Sequence, residues 1–297
     1  MRITALFFAY LLICLLLAAL LTYPLLAAGW FELPPRRVMG RLAQGFMLLG
    51  FWPFLCLTGL ANRTALGFDL HRPAFLRRVA GGWLLGLAML GPVLALLVAL
   101  GVRVPVLWGP TLAARLLAAA ATALLAGLLI ALLEETFFRG ALYRALRRRG
   151  GARAAACWSA LLYALVHFLK PHDLPPGTVL DWGSTCWLVQ GVFTGLWRWE
   201  HLDSLSSLFA AGVLLALLRE RCGHIAWGIG LHAGWVFVIQ VGRRATWADP
   251  QAPLAGLTGS YDGIIGWLAA AWLLLLLWPW WRWARGRTDP VPDPPPT

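Results

Sequence analysis

Charged side chains are scarce in this sequence. Aspartate and glutamate together number 13 among 297 residues, Lys170 is the only lysine, and 60% of the residues are hydrophobic. Soluble domains carry charge on about 25% of their residues, whereas the share here is 13%. Too few polar residues remain to cover a water-facing surface, and we therefore expect the chain to be embedded in a lipid bilayer.

Common metal and redox motifs are missing as well. The five cysteines have no C-x-x-C spacing, and no H-E-x-x-H zinc motif occurs. Because four of the cysteines fall within or at the edge of apolar runs, we interpret them as small hydrophobic residues. No cofactor is expected, although two histidines and a glutamate are in principle able to bind a divalent metal such as zinc.

The net charge of +12 comes from arginine. The arginines are scattered through the loops rather than gathered on one face, which argues against a nucleic-acid partner. When successive loops are assigned to alternate sides of a membrane, most arginines fall on the side that holds both ends of the chain. The positive-inside rule then predicts cytoplasmic termini. Together with a composition typical of GC-rich bacteria, this pattern predicts a protein integral to the bacterial cell (inner) membrane.

Apolar runs of about 20 residues predict transmembrane helices. Eight such runs lie near residues 3–28, 43–61, 80–101, 122–148, 154–169, 205–219, 224–241 and 262–282. The predicted fold class is therefore all-α, a polytopic membrane protein with about eight transmembrane helices around an intramembrane active site. Residues 110–121 are either the early part of a long fourth helix or an interfacial piece, and residues 186–199 are either re-entrant or interfacial.

Two adjacent acids, Glu134 and Glu135, interrupt the apolar run LLAGLLIALLEETFFRGALYRAL. Ionisable residues within a span must be paired, hydrated or neutralised, and by default they indicate a functional site. Glu135 and Arg139 are spaced i and i+4, which predicts an ion pair on one helix face. Glu134 is rotated by about 100° from Glu135 and is less easily paired with the same arginine. A carboxylate in such apolar surroundings suits the role of a general base.

Tyr163 and His167 are spaced i and i+4 in the next apolar run. A turn at residues 147–151 is predicted to join the two helices, and the midpoint between Glu134 and His167 falls within this turn, between Gly150 and Gly151. In an antiparallel hairpin with a rise of about 1.5 Å per residue, these two side chains should lie at the same depth. A carboxylate and an imidazole at one level are able to polarise a water molecule together.

His232 is the third candidate. On a straight helix it would lie about 14 Å into its span, shallower than Glu134 and His167, so a helix tilt or break is needed for the three to meet. The alternative interpretation is a histidine that only hydrogen-bonds a neighbouring helix. Small residues that permit close helix approach flank it: Gly228, Gly230, Ala233 and Gly234.

These residues resemble the motifs of the CPBP family of intramembrane proteases, which contains the CAAX-prenyl proteases and their bacterial relatives. The family's E-E-x-x-x-R corresponds to residues 134–139. Its F-x-x-x-H corresponds to Tyr163–His167, with tyrosine in place of phenylalanine. Its H-x-x-x-N begins at His232 but reaches Val236 instead of asparagine.

The resemblance implies an eight-helix membrane fold in which Glu134 and His167 activate water. It also implies that His232 stabilises the oxyanion, a role shared with asparagine in the family. Because Val236 replaces that asparagine, His232 would act alone or with an unidentified donor. If a metal binds, the expected ligands are Glu134, His167 and His232. Three residues are expected to support the site: Glu135, Arg139 and Tyr163.

The predicted organisation places N-terminal transmembrane helices in residues 1–119 and a CPBP-like catalytic core in residues 120–241. A C-terminal transmembrane helix follows in residues 242–287, and a proline-rich disordered tail in residues 288–297. The predicted function is an intramembrane endopeptidase that hydrolyses a membrane-anchored protein or peptide with glutamate- and histidine-activated water. Two alternatives are open: a non-enzymatic membrane scaffold or immunity protein, and a proton-coupled transporter that uses Glu134 and His167 as a relay.

Overall fold

The structure is a computed structural model that describes residues 2–106, 109 and 111–285. The predicted disordered tail, residues 288–297, lies outside the described residues. The chain divides into two compact units. The first unit consists of the chain up to Ala61 together with Leu165–Trp199, and the second consists of Asn62–Ala164 together with the chain from Glu200 onward.

Helices dominate the described residues, which confirms the all-α fold class. In chain order the elements are α1 (Arg2–Ala27), α2 (Pro35–Leu57), α3 (Arg63–Leu66), α4 (Arg72–Ala99), β1 (Arg103–Pro105), α5 (Leu112–Glu135), a π-helix (Thr136–Leu142), α6 (Tyr143–Val166), α7 (Trp182–Thr194), α8 (Leu202–Cys222), α9 (Ala226–Ala245), β2 (Thr246–Ala248) and α10 (Trp267–Arg285). Short 3-10 turns lie at Gly195–Trp197, Trp199–His201 and Ala255–Leu257.

Within the described part of the chain, five helical stretches are long and apolar enough to cross a membrane: Thr4–Ala27, Pro35–Leu57, Arg72–Ala99, Leu112–Val166 and Trp199–Cys222. The fourth stretch has 55 residues and contains both α5 and α6. These stretches support integration into a membrane. The total of about eight spans, which requires α9 and α10 to cross as well, stays a prediction.

Several helices begin earlier than the apolar runs predicted. The helix expected from residue 43 begins at Pro35, and the one expected from residue 80 begins at Arg72. Proline lies within the first two helical positions in both cases, where its missing N–H has no intrahelical partner to lose. The apolar run therefore marks only the lipid-matched part of each helix. Residues 112–121 form the early part of α5, one of the two predicted alternatives.

The first unit is held together by apolar packing of α1, α2 and α7. Its buried core consists of Ala18, Ala19, Met39 and Leu188, with partly buried leucines and aromatic residues around it. Many large apolar side chains of α1 are exposed, as expected for a surface that faces lipid.

In the second unit, α9 packs between α4 and α5. Gly82 and Gly86 of α4 lie against Gly230 and Gly234 of α9, and a Cβ atom on Gly230 would lie only 2.0 Å from the carbonyl oxygen of Val79. Small residues at this spacing on both helices allow the two backbones to touch. The close helix approach predicted around His232 is confirmed, and it fixes the depth of the histidine.

The helical hairpin that carries the first motif is interrupted twice. The π-helix begins directly after Glu135, and Gly151 has a left-handed φ of 76° inside α6, at the predicted turn. The π-helical turn is stabilised from outside, because Nε of Arg219 donates to the carbonyl oxygen of Arg139 over 3.3 Å. Single turns of π-helix are frequent at functional sites.

A short antiparallel pairing of β1 with β2 was not predicted from the sequence. Arg103 is opposite Ala248 and Pro105 is opposite Thr246, which joins the chain after α4 to the chain after α9. The buried guanidinium of Arg103 donates to the side chain and the carbonyl oxygen of Thr246 over 2.8 and 2.6 Å. The pairing thereby holds the start of the connection that leads to α10.

Candidate active site

The most deeply buried part of the candidate site is an ion pair. Nη1 of Arg139 lies 3.0 Å from Oε1 of Glu135, and the two side chains are only 1% and 0% exposed. Two further contacts hold the guanidinium, since Nη2 donates to the carbonyl oxygen of Gly212 over 3.2 Å and the group lies 4.3 Å from the ring centre of Tyr163. The predicted i, i+4 pair is therefore confirmed, and it is fixed on several sides.

Glu135 connects this ion pair to α9. Its Oε1 lies 3.1 Å from Nδ1 of His232. Close approach depends on Gly228, because a Cβ atom at that position would lie 2.9 Å from Oε2 of Glu135. A glycine one turn before His232 is therefore required, because the carboxylate of Glu135 would otherwise not fit between α5 and α9.

The contact with Glu135 fixes the orientation of the imidazole. When Nδ1 donates its proton to Glu135, Nε2 points to the opposite side of the ring and is an acceptor in the neutral form. On that side Nε2 lies 3.8 Å from Oε2 of Glu134 and 3.5 Å from the hydroxyl of Tyr163. A second, separate carboxylate therefore faces the other ring nitrogen.

Glu134 and Glu135 are adjacent in sequence but differ in exposure. The side chain of Glu134 is 29% exposed, whereas that of Glu135 is fully buried. They leave the end of α5 in different directions, one toward an accessible surface and the other into the packed junction of α5, α8 and α9. The difference expected from the 100° rotation of an α-helix is confirmed.

The shallow position expected for His232 on a straight helix does not separate it from Glu134. The helix that carries Glu134 is itself interrupted, because a π-helix starts directly after Glu135. The alternative interpretation of His232, a bond to a neighbouring helix, is also correct in part, because Glu135 belongs to α5. The other ring nitrogen faces Glu134, and a catalytic role of His232 stays a prediction.

His167 belongs to the first unit and lies in the turn that follows α6, which ends at Val166. The helix predicted to run to residue 169 is therefore shorter, and the i, i+4 spacing of Tyr163 and His167 extends past the helix end. Its imidazole is half-buried. The approach of His167 to Glu134 stays a prediction.

Val236, at the asparagine position of the third motif, makes an apolar contact. Its side chain lies 3.4 Å from the place where a Cβ atom on Gly127 would be. The position packs α9 on α5 and offers no hydrogen-bond donor.

Tyr261, in the loop between β2 and α10, is a residue near the site that sequence reasoning missed. Burial raises the pKa of its phenol, and the negative charges of Glu134 and Asp262 raise it further, while Arg243 acts in the opposite direction. The phenol is therefore protonated at any physiological pH. No motif marked this loop, because its electrostatic coupling to Glu134 depends on the path of the chain after α9.

Among the residues that the structure describes, no three histidine, cysteine, aspartate or glutamate side chains are grouped so that they would hold a metal ion.

Residues 116–238 match the family described as type II CAAX prenyl endopeptidase Rce1-like. This match confirms the resemblance to the CPBP family. The matched segment contains Glu134, the buried residues Glu135, Arg139 and His232, and the glycines of α9, whereas Tyr261 lies beyond its end. Neither a curated protein nor a solved structure matches the chain.

Proposed function

We propose that this chain is an intramembrane endopeptidase that hydrolyses a peptide bond of a membrane-anchored protein or peptide. The family match of residues 116–238 supports a membrane protease as the general class. The observation that carries the proposal is the unequal environment of two adjacent glutamates: Glu134 is accessible and faces His232, and Glu135 is buried in an ion pair.

Glu134 is the general base in this proposal. Its side chain is partly exposed, and a carboxylate that water is able to reach suits proton transfer. It removes a proton from water, and the water oxygen attacks the scissile carbonyl carbon. The electron pair of the carbonyl bond moves to its oxygen to form an oxyanion. When the carbon–nitrogen bond then breaks, Glu134 returns the proton to the leaving amine.

His232 is the electrostatic stabiliser. Glu135 accepts a hydrogen bond from Nδ1 and orients the ring, so that Nε2, when it carries a proton, donates toward the developing oxyanion. Arg139 neutralises Glu135 and fixes its position, so it acts through Glu135 and His232. His167 shares the activated water with Glu134, a role that comes from the family resemblance.

The proposed environment of the reaction is the inner membrane of a bacterium, with both termini in the cytoplasm. The substrate is anchored in the same bilayer, and binding there concentrates it near the site. The mechanism uses the side chains of the chain itself. A zinc-dependent variant of this mechanism would make cleavage sensitive to a chelator, and the following experiment includes that comparison.

The proposal is tested by expressing wild type and Glu134→Gln at matched abundance in cells and identifying new protein termini by mass spectrometry. Wild type is expected to generate defined termini in membrane proteins, and Glu134→Gln is expected to abolish them. A parallel incubation of membranes with 1,10-phenanthroline distinguishes a metal-dependent reaction from the metal-free one.

Glu220→Gln is the matched control, because Glu220 also accepts hydrogen bonds from an arginine, Arg147, and from Tyr143, but takes no part in the group around His232. This variant should generate the same termini as wild type. If wild type and Glu134→Gln produce identical sets of termini, the protease proposal is wrong.

The second candidate function is a non-enzymatic membrane scaffold or immunity protein. Val236 favours it, since the family's asparagine donor is replaced by an apolar contact. A scaffold would keep its cellular phenotype in the Glu134→Gln variant, whereas a protease would lose it.

A further inference from the structure

The π-helix after Glu135 deprives one backbone carbonyl group of its usual donor. In an α-helix the carbonyl oxygen of Arg139 would accept from the N–H of Tyr143, four residues later. Here that N–H donates instead to the carbonyl oxygen of Phe138, five residues back. Residues 138–142 are buried, and a buried carbonyl group without a donor destabilises the conformation that creates it. The π-helical winding therefore depends on a donor from another element.

Arg219 of α8 supplies a donor to this carbonyl group. Its Nε lies 3.3 Å from the carbonyl oxygen of Arg139, and the residue is only 8% exposed. A guanidinium group donates through each of its nitrogens and accepts at none, so Nε is always available as a donor. A buried arginine in a membrane-spanning helix is costly, and by default it indicates a functional role.

The other two nitrogens of this guanidinium bond to two further elements. Nη2 donates to the carbonyl oxygen of Ala65 in α3 over 3.0 Å, and Nη1 donates to that of Gly223, in the turn between α8 and α9. That turn also bonds to the end of α3, since the N–H of Ile225 donates to the carbonyl oxygen of Gly67 over 3.2 Å. Arg219 therefore joins the π-helix to the start of the helix that carries the histidine of the site.

Glycines allow α3 to pack closely around this guanidinium and against the π-helix. A Cβ atom on Gly67 would lie 2.9 Å from Cζ of Arg219, and one on Gly140 would lie 3.0 Å from the carbonyl oxygen of Leu66. Gly67 also has a left-handed φ of 85°, which favours glycine. The guanidinium thus lies in a tightly packed junction of α3, α8 and the π-helix.

The winding of the π-helical turn sets the geometry of the candidate site. Glu135 ends α5 and Arg139 lies in the π-helix, so their ion pair spans this turn. Oε1 of Glu135 in turn lies 3.1 Å from Nδ1 of His232. We propose that Arg219 is a positioning residue that keeps the turn π-helical and thereby aligns Glu134 and His232 for the reaction. It acts through the turn and not on the substrate, and the inference rests on the proposed protease function.

Arg219→Lys separates the hydrogen bonds of the guanidinium from its charge. Lysine keeps the positive charge, but it donates from a single nitrogen at its tip and has no counterpart of Nε. Arg147→Lys is the matched control, because Arg147 also joins α6 to α8, through a bond from its Nε to Glu220. This control makes the same chemical change beside Arg219 and leaves the bond between Arg219 and Arg139 in place.

Hydrogen–deuterium exchange reports on the turn without reference to catalysis. It is measured on the purified full chain in phosphatidylcholine–phosphatidylglycerol proteoliposomes. In Arg219→Lys the backbone N–H groups of residues 136–143 should exchange about tenfold faster, because the turn has lost its donor, while those of α1 should not change. Arg147→Lys should exchange like wild type at residues 136–143. Unchanged exchange of these residues in Arg219→Lys would overturn the inference.

The nitrogen NMR signal of Nδ1 of His232 distinguishes positioning from a general loss of stability. It is recorded with isotope-labelled histidine below the unfolding temperature and assigned by its absence in His232→Gln. The signal should shift in Arg219→Lys, because the contact with Glu135 changes. Arg103→Lys removes another buried arginine that donates to backbone carbonyl groups, and it should lose stability without shifting the signal. An unshifted signal in Arg219→Lys, or an equal shift in Arg103→Lys, would contradict the inference.

Cleavage rates connect the turn to the proposed function. Membranes from cells that lack the chain serve as substrate, and the initial rate of formation of the wild-type termini is measured. Arg219→Lys should lose about 10²-fold in rate, as expected when catalytic groups are misplaced by about 1 Å, and Arg147→Lys should remain near the wild-type rate. If Glu134→Gln cleaves as well as wild type, the proposed function itself fails. If Glu134→Gln is inactive and Arg219→Lys is fully active, only the inference fails.

Discussion

The two sides of the His232 ring differ in almost every physical property. On the Nδ1 side, Glu135 and Arg139 are at most 1% exposed and bond to one another and to the backbone. On the Nε2 side, Glu134 is 29% exposed and lies 3.8 Å away, longer than a hydrogen bond. The comparison teaches that a buried ion pair orients the ring through Nδ1, while Nε2 faces a carboxylate on a partly exposed side chain.

Glu134→Gln removes the carboxylate that faces Nε2 of His232 and should have the largest effect on activity. The amide is close in shape to the carboxylate but is unable to accept the proton of water. We expect a loss of about 10³-fold or more in cleavage rate. Because Glu134 is accessible, we expect little change in thermal unfolding, which is followed in detergent by tryptophan fluorescence. A large loss of stability would show that Glu134 contributes to folding as the buried ion pair does, which contradicts the comparison.

Arg139→Met removes the cation of the buried ion pair on the Nδ1 side of His232 and should mainly affect stability. It leaves the carboxylate of Glu135 buried without its cation, and the free energy of unfolding should fall by about 3–5 kcal/mol. The double variant Arg139→Met/Glu135→Leu removes both charges and should regain most of that loss, measured by the same unfolding assay. It should still be inactive, since the ring of His232 is no longer oriented. Recovery of activity would contradict the orienting role.

Gly230→Ala tests whether the contacts on both sides of the His232 ring depend on the close packing of α9 against α4. A Cβ atom at this position would lie 2.0 Å from the carbonyl oxygen of Val79, so α9 must move away from α4. We expect a loss of about 1–3 kcal/mol in stability together with lower activity. Gly256→Ala is the control, because nothing lies within 4 Å of the added atom. Equal behaviour of the two variants would show that the glycine contact does not position His232.

Tyr163→Phe should have the smallest effect. Its hydroxyl lies 3.5 Å from Nε2 of His232, at the outer limit of a hydrogen bond, and its ring remains to pack on Arg139. We expect a change of about 1 kcal/mol or less in stability and less than a tenfold change in rate. The phenylalanine found at this position in the family motif is compatible with that expectation. A loss as large as that of Glu134→Gln would make Tyr163 a central catalytic residue.

Much of the fold and part of the site followed from local sequence patterns. The apolar runs located the long helices, and the i, i+4 spacing identified the bond between Glu135 and Arg139, because both patterns depend only on helix geometry. The helix starts were less accurate, since Pro35 and Arg72 begin helices in polar sequence. The depth estimate for His232 assumed straight helices and did not include the π-helix after Glu135.

The sequence by itself determined that the chain is a helical membrane protein and that Glu134, Glu135 and His232 are unusual within it. Scarcity of charge makes each buried ionisable residue visible in the sequence. Only the tertiary structure decided which carboxylate is partly exposed and which ring nitrogen faces it. These properties depend on contacts between helices and loops far apart along the chain, and local periodicity carries no information about such contacts.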